Sequence, residues 1–176
     1  MSSKYPTDLL PIDPESICVN REIRRSNASS IFEIEINGTC YAMKVFHDNG
    51  DPGFSKKGRV LNRFRCELQA YRNLRLFGVC ERGFVPRYYG YIDRLDPTKL
   101  QPHLDHFRND QHNPRAIFLE YFPDAEKLNC VNYSDQRFQK AINGIKEIHN
   151  ALIHHHDICP KKISFLCLEN QKGYYG

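Results

Sequence analysis

The clearest pattern of apolar and polar positions lies between Ile31 and Phe46. Ile31-Phe-Glu-Ile-Glu-Ile36 alternates with period two, as a half-buried strand does. Asn37-Gly38 follows, the dipeptide best suited to the positive φ angles of a two-residue hairpin turn. Thr39 to Phe46 returns as a second strand, and the β-like character reaches back to Val19, so an antiparallel hairpin is predicted. The returning strand, Cys40-Tyr-Ala-Met-Lys-Val-Phe46, carries Lys44 inside an apolar run. A lysine is costly to enclose unless something pairs with it.

Beyond a polar loop from His47 to Lys57, the period changes. Val60 to Leu76 reads as an amphipathic helix with Leu61, Phe64, Leu68, Tyr71 and Leu74 on its apolar stripe, and Arg59, Arg63, Arg65 and Arg72 largely off it. Glu67 lies beside that stripe, where an inward-leaning carboxylate meets a strand lysine. Pro86 to Ile92 is predicted to be a short strand. Asp93 to Pro114 is polar with three prolines, and is expected to be a mobile insertion between strands. Arg115 to Phe122 reads as a buried strand stopped by Pro123-Asp124. Ser134 or Asp135 then caps a helix whose apolar face is Phe138, Ile142, Ile145, Ile148 and Leu152. Met1 to Cys18, with Pro6, Pro11 and Pro14, reads as an extended or partly disordered leader. The fold class these elements predict is α+β.

Composition narrows the function classes. A chain of 176 residues suits one ordinary domain, and a net charge of +4 is too small to argue for nucleic acid. Arg21, Arg24, Arg25, Lys56, Lys57, Arg59, Arg63 and Arg65 are read as a solvated face, with no nucleic-acid partner expected. No apolar run approaches the ~18 residues that cross a bilayer, and the N-terminus lacks the apolar core of a signal peptide, so no membrane partner and an intracellular location, cytoplasmic or nuclear, are expected. Seven cysteines, an odd number without a C-x-x-C pair, suit reduced thiols better than disulfides or zinc. His149, His154, His155 and His156 are metal-ligand candidates by residue type. Adjacent histidines on a helix diverge by about 100 degrees, and no Cys or carboxylate spacing supports them, so no metal site is assigned.

The order of elements is hairpin, lysine strand, glutamate helix, two strands, long helix, then His155-His-Asp157-Ile-Cys-Pro160. This order resembles a protein kinase, and Glu67-Leu-Gln-Ala-Tyr71 is similar to fungal kinase-like proteins. Tyr41-Ala-Met-Lys44 resembles the V-A-I-K strand motif at Ala42 and Lys44, and the segment at Asp157 resembles H-R-D-L. The resemblance implies a kinase-like N-terminal lobe over 19–122, an antiparallel sheet plus the glutamate helix, with 93–114 as an insertion loop. It also implies a partial helical C-terminal lobe over 123–176, after the leader 1–18. Lys44 would hold ATP phosphates, Glu67 would orient Lys44, and Asp157 would accept the proton of a substrate hydroxyl. Leu119 to Phe122, with Glu120 and Phe122, would border the adenine.

Departures from the family pattern shape the functional expectation. Arg24 to Ile31, where the phosphate-covering loop belongs, has no glycine, and Lys162 stands where the metal-binding asparagine would be. Lys161 and Lys162 would repel Mg2+, which is therefore disfavoured as a cofactor, whereas ATP is retained as one. The sequence ends before an aspartate of D-F-G type, and the domain is expected to be truncated there. The expected protein is kinase-like with an ATP cleft, impaired or inactive as an enzyme, and of Ser/Thr phosphotransferase type if active. The alternative is a non-catalytic module that docks a protein partner on a degenerate kinase scaffold.

Overall fold

Asn37 and Gly38 take φ angles of 50° and 77°, the left-handed values a two-residue hairpin turn requires. They join β2, Ser29–Ile36, to β3, Thr39–Phe46, in the register Ile36 to Thr39 through Ser29 to Phe46. In this computed structural model the described residues are 12–123, 126–127, 131, 133–153 and 164–165. β1, Cys18–Arg25, pairs with β2, and β5, Arg115–Glu120, pairs with the other edge of β3. β4, Tyr88–Ile92, closes the order β1-β2-β3-β5-β4, antiparallel throughout. The sheet and α1, Arg63–Leu76, belong to a unit spanning Met1–Tyr121. A second unit, Phe122–Gly176, holds α2, Asp135–Asn150, and the short antiparallel pair of β6, Glu126–Lys127, and β7, Ser164–Phe165. The fold is α+β.

Strand alternation divides the first unit's core into two faces. Phe32, Ile34, Met43, Val45, Ala116 and Phe118 point to one side, where Ile17, Leu95, Leu100, Leu104 and Phe107 cover them. Phe46, Ile117, Leu119 and Tyr88 point to the other, where Phe64 and Leu68 of α1 pack. Each such buried Leu or Phe contributes roughly 1.5–3 kcal/mol.

The cover on the first face is a finding that periodicity did not predict. The segment 93–114, read as a polar excursion, brings four apolar side chains into the core from the 3-10 turns Pro97–Leu100 and Asp105–Phe107 and the chain beside them. The end of the leader is also engaged, since Ile17 is buried and Ile12 packs against the same cluster.

Helix boundaries differ from expectation for local reasons. α1 begins at Arg63 rather than Val60, because Asn62 is extended and its side chain accepts the Arg65 N–H as an N-cap. Val60 is instead bridged to Phe54, leaving Leu61 44% exposed. In α2 the Ser134 side chain caps the Arg137 N–H as predicted, but the helix stops at Asn150. Leu152 then takes φ 62°, which turns it off the apolar stripe, and it is 74% exposed. β5 ends at Glu120, short of Phe122.

Candidate functional site

Lys44 lies opposite Ile31 on one side and Ile117 on the other, in the centre of the sheet. By alternation it shares the α1 face with Ala42 and Phe46. Its Nζ donates to Glu67 Oε2 at 2.5 Å and lies 5.1 Å from the centroid of the Phe46 ring. The two side chains retain 23% and 27% exposure, so the pair is partly desolvated and holds its geometry better than a surface ion pair. Glu67 is fixed because Phe64 and Leu68, its neighbours on the stripe, anchor α1 to the sheet. One turn further along, burial first and the Glu67 carboxylate next push the Tyr71 hydroxyl well above its ordinary range, so it stays protonated.

The pair borders a cavity of about 660 Å³ whose wall comprises Ser29, Lys44, Phe46, Arg59, Val60, Leu61, Arg63, Cys66 and Glu67. Three amides of the turn between β1 and β2, those of Ser26, Ala28 and Ser29, are already hydrogen-bonded within it. Ser26 Oγ accepts from the N–H groups of Ala28 at 3.3 Å and Ser29 at 3.2 Å, and the Ser26 N–H donates to the Ser29 carbonyl at 2.9 Å.

A neighbouring cavity of about 350 Å³ touches Asp48, Arg63, Phe64 and Arg115, of which Asp48 and Arg115 are already engaged in ion pairs. Asp48, buried, accepts from Arg94 Nη1 and from the Gly50 N–H. Arg115 Nε stands 3.3 Å from Asp48 Oδ2 and 2.9 Å from Asp93 Oδ1, yet points along neither hydrogen-bond line, so the contact is ionic. Its guanidinium also covers the Phe64 ring at 5.3 Å. Two arginines thus meet two carboxylates, and the cluster ties the end of β3 to the start of β5. The larger cavity, beside unbalanced charge, is the better candidate for ligand chemistry.

Of the residues singled out from sequence, Lys44 and Glu67 are brought together across 23 positions of chain. Glu120 is on the opposite side of the sheet by alternation, where its Oε2 accepts the Arg87 N–H at 3.1 Å. Phe122 is half-buried and belongs to the second unit, while Asp157 and His154 to His156 lie outside the described residues. No family model matches this chain, and no curated protein matches it either.

The basic residues divide by partner. Arg21 donates to Glu33 at 2.7 Å, Arg25 faces Glu22 at 2.6 Å, and Arg65 faces Asp51 at 2.7 Å. Arg59 and Arg63 line the larger cavity instead, a role their position off the helix stripe did not reveal. Among the described residues no group of three or more His, Cys, Asp or Glu is arranged to hold a metal ion, and no helix is long and apolar enough to cross a membrane.

Proposed function

We propose that this chain is a protein kinase-like protein that binds a nucleoside triphosphate through Lys44, without transferring its phosphoryl group. The observation that carries the reading is the 2.5 Å contact between Lys44 Nζ on the third strand and Glu67 on the following helix, at the edge of a cavity. In kinases the strand lysine holds the α- and β-phosphates and a helix glutamate fixes it. The succession of β1 to β3, α1, β4, β5 and α2 also supports the reading. Lys44 would supply a positioned cation to the phosphates, and Glu67 would keep its ammonium from swinging to solvent.

The same reading separates binding from transfer. Phosphoryl transfer depends on positioning and on neutralising charge at three equatorial oxygens. Here the β1–β2 turn has no glycine, and its Ser26, Ala28 and Ser29 amides are already hydrogen-bonded to Ser26 and Ser29. In the sequence, Lys162 occupies the place of the metal-binding asparagine.

The test is a thermal-unfolding titration with ATP on the wild-type chain and on Lys44→Ala. Ligand at a hundredfold its Kd stabilises the native state by about 2.7 kcal/mol, a rise of roughly 5–10 °C for a chain of this size. The wild type is expected to show that rise and Lys44→Ala to lose it. A folded wild type that ATP does not stabilise would refute nucleotide binding and favour the interaction-module alternative.

A further inference from the structure

The wall of the larger cavity carries more positive charge than the Lys44–Glu67 pair balances. Arg59 and Arg63 both line it, and neither guanidinium forms an ion pair or hydrogen bond among the described residues. Elsewhere in the same unit Arg21, Arg25, Arg65, Arg94 and Arg115 each face a carboxylate. Among the described residues Glu67 is the one carboxylate in that wall, and it is already engaged by Lys44.

Both arginines are presented from ordered backbone. Arg59 closes a short loop in which the Ser55 N–H donates to the Arg59 carbonyl at 2.8 Å, the Arg59 N–H donates to Ser55 Oγ at 3.0 Å, and the Leu61 N–H donates to the Gly53 carbonyl at 3.0 Å. Arg63 opens α1, where the positive end of the helix dipole lies.

A magnesium ion does not fit this wall. It needs oxygen ligands, usually carboxylates beside the phosphates, and among the described residues of the wall it would meet three cations and one committed carboxylate. We propose, building on the nucleotide-binding reading, that the cavity takes the polyphosphate as the metal-free polyanion. Arg59 and Arg63 hold the phosphate oxygens that a metal ion and loop amides would otherwise neutralise. Arginine suits the task, because its planar donors match two phosphate oxygens at once and stay charged at any accessible pH. A concave wall of one sign also concentrates an anion before contact.

Isothermal titration of the full chain distinguishes this from ordinary nucleotide binding. The ligands are ATP in EDTA, ATP with excess Mg2+, and tripolyphosphate and AMP in EDTA, each against wild type and the double variant R59Q/R63Q. ATP is expected to bind in EDTA at least as tightly as with Mg2+, tripolyphosphate to bind, and AMP to bind far more weakly. R59Q/R63Q is expected to weaken ATP at least about tenfold in EDTA, with its thermal midpoint not lowered, because both side chains are exposed and Arg63 opposes the α1 dipole. Binding of ATP only in the presence of Mg2+, or wild-type affinity in R59Q/R63Q, would overturn the inference and leave nucleotide binding standing. ATP binding without tripolyphosphate binding would equally overturn it, by taking the grip away from the phosphates. No binding of ATP in either buffer would refute the nucleotide reading itself, and this inference with it.

Discussion

The two faces of the five-stranded sheet are built from the same strands and put to opposite uses. One is covered by Leu95, Leu100, Leu104 and Phe107 and is apolar except at its border, where buried Ser30 meets His106. The other is covered by α1 and admits charge: Lys44 with Glu67 at one place and Arg115 over Phe64 at another. Because neighbouring residues of a strand point to opposite sides, Met43 and Val45 serve the dry face while Lys44 between them serves the charged one. A single strand thereby joins the part of the molecule that resists unfolding to the part that can meet a ligand, and mutations on the two sides should have separable effects.

Phe107→Ala should produce the largest change. The side chain is 1% exposed, and emptying such a site costs about 3–5 kcal/mol. Chemical denaturation should show the loss, while the affinity for ATP among molecules still folded stays at the wild-type value. A variant that loses affinity in step with stability would mean that the faces are not independent.

Lys44→Ala should act in the opposite sense. Its side chain is about three-quarters covered and pairs with one carboxylate, so stability should fall by only about 1 kcal/mol, whereas ATP affinity falls tenfold or more. Glu67→Gln should lie between wild type and Lys44→Ala in affinity, since the lysine remains but loses its charged partner. An affinity below that of Lys44→Ala would give Glu67 a direct part in binding.

How much of this was legible in the sequence depends on the range of each signal. The hairpin was readable because alternation and Asn37-Gly38 are local, and the approach of Glu67 to Lys44 followed from one strand and one helical stripe. The start of α1 is hidden in the sequence because Val60 and Leu61 extend the apolar pattern beyond Asn62, whose capping geometry decides the boundary. The cover of the dry face was illegible for a different reason. Leu100, Leu104 and Phe107 stand at i, i+4 and i+7, but Pro97, Pro102 and the polar residues among them hide the pattern, and short 3-10 turns rather than an α-helix set their directions. The Asp48–Arg94 pair spans 46 residues and leaves no local trace.

Asn62→Ala tests the boundary of α1 and sharpens the view of what holds the charged face. Loss of the cap to the Arg65 N–H should cost about 1 kcal/mol in thermal unfolding, and should weaken ATP binding slightly by fraying the turn that carries Arg63. Unchanged stability would show that tertiary packing alone fixes the helix start.

The smallest effect concerns pH and belongs to the border of the dry face. His106 lies 3.0 Å from the Ser30 hydroxyl and against Phe107, and burial first, with Arg25 next, holds its pKa below the ordinary 6.5. The unfolded chain therefore binds the proton more readily, so stability is fully present above about pH 6.5 and declines as pH falls through the depressed native value. Glu22, whose pKa Arg25 lowers, contributes only below its ordinary 4.5 and falls outside this window. Midpoints measured from pH 7 to 5 should drop for wild type and less for His106→Gln. Equal slopes would remove His106 from the account.

The most direct test of the division between faces is a two-dimensional amide NMR titration of the full chain with ATP. Perturbations should concentrate at Ser29, Lys44 and residues 59–67, with the signals of Leu95, Leu100, Leu104 and Phe107 unmoved. Shifts centred on residues 95–107, with the signals of Lys44 and Glu67 unmoved, would contradict the assignment of ligand binding to the charged face.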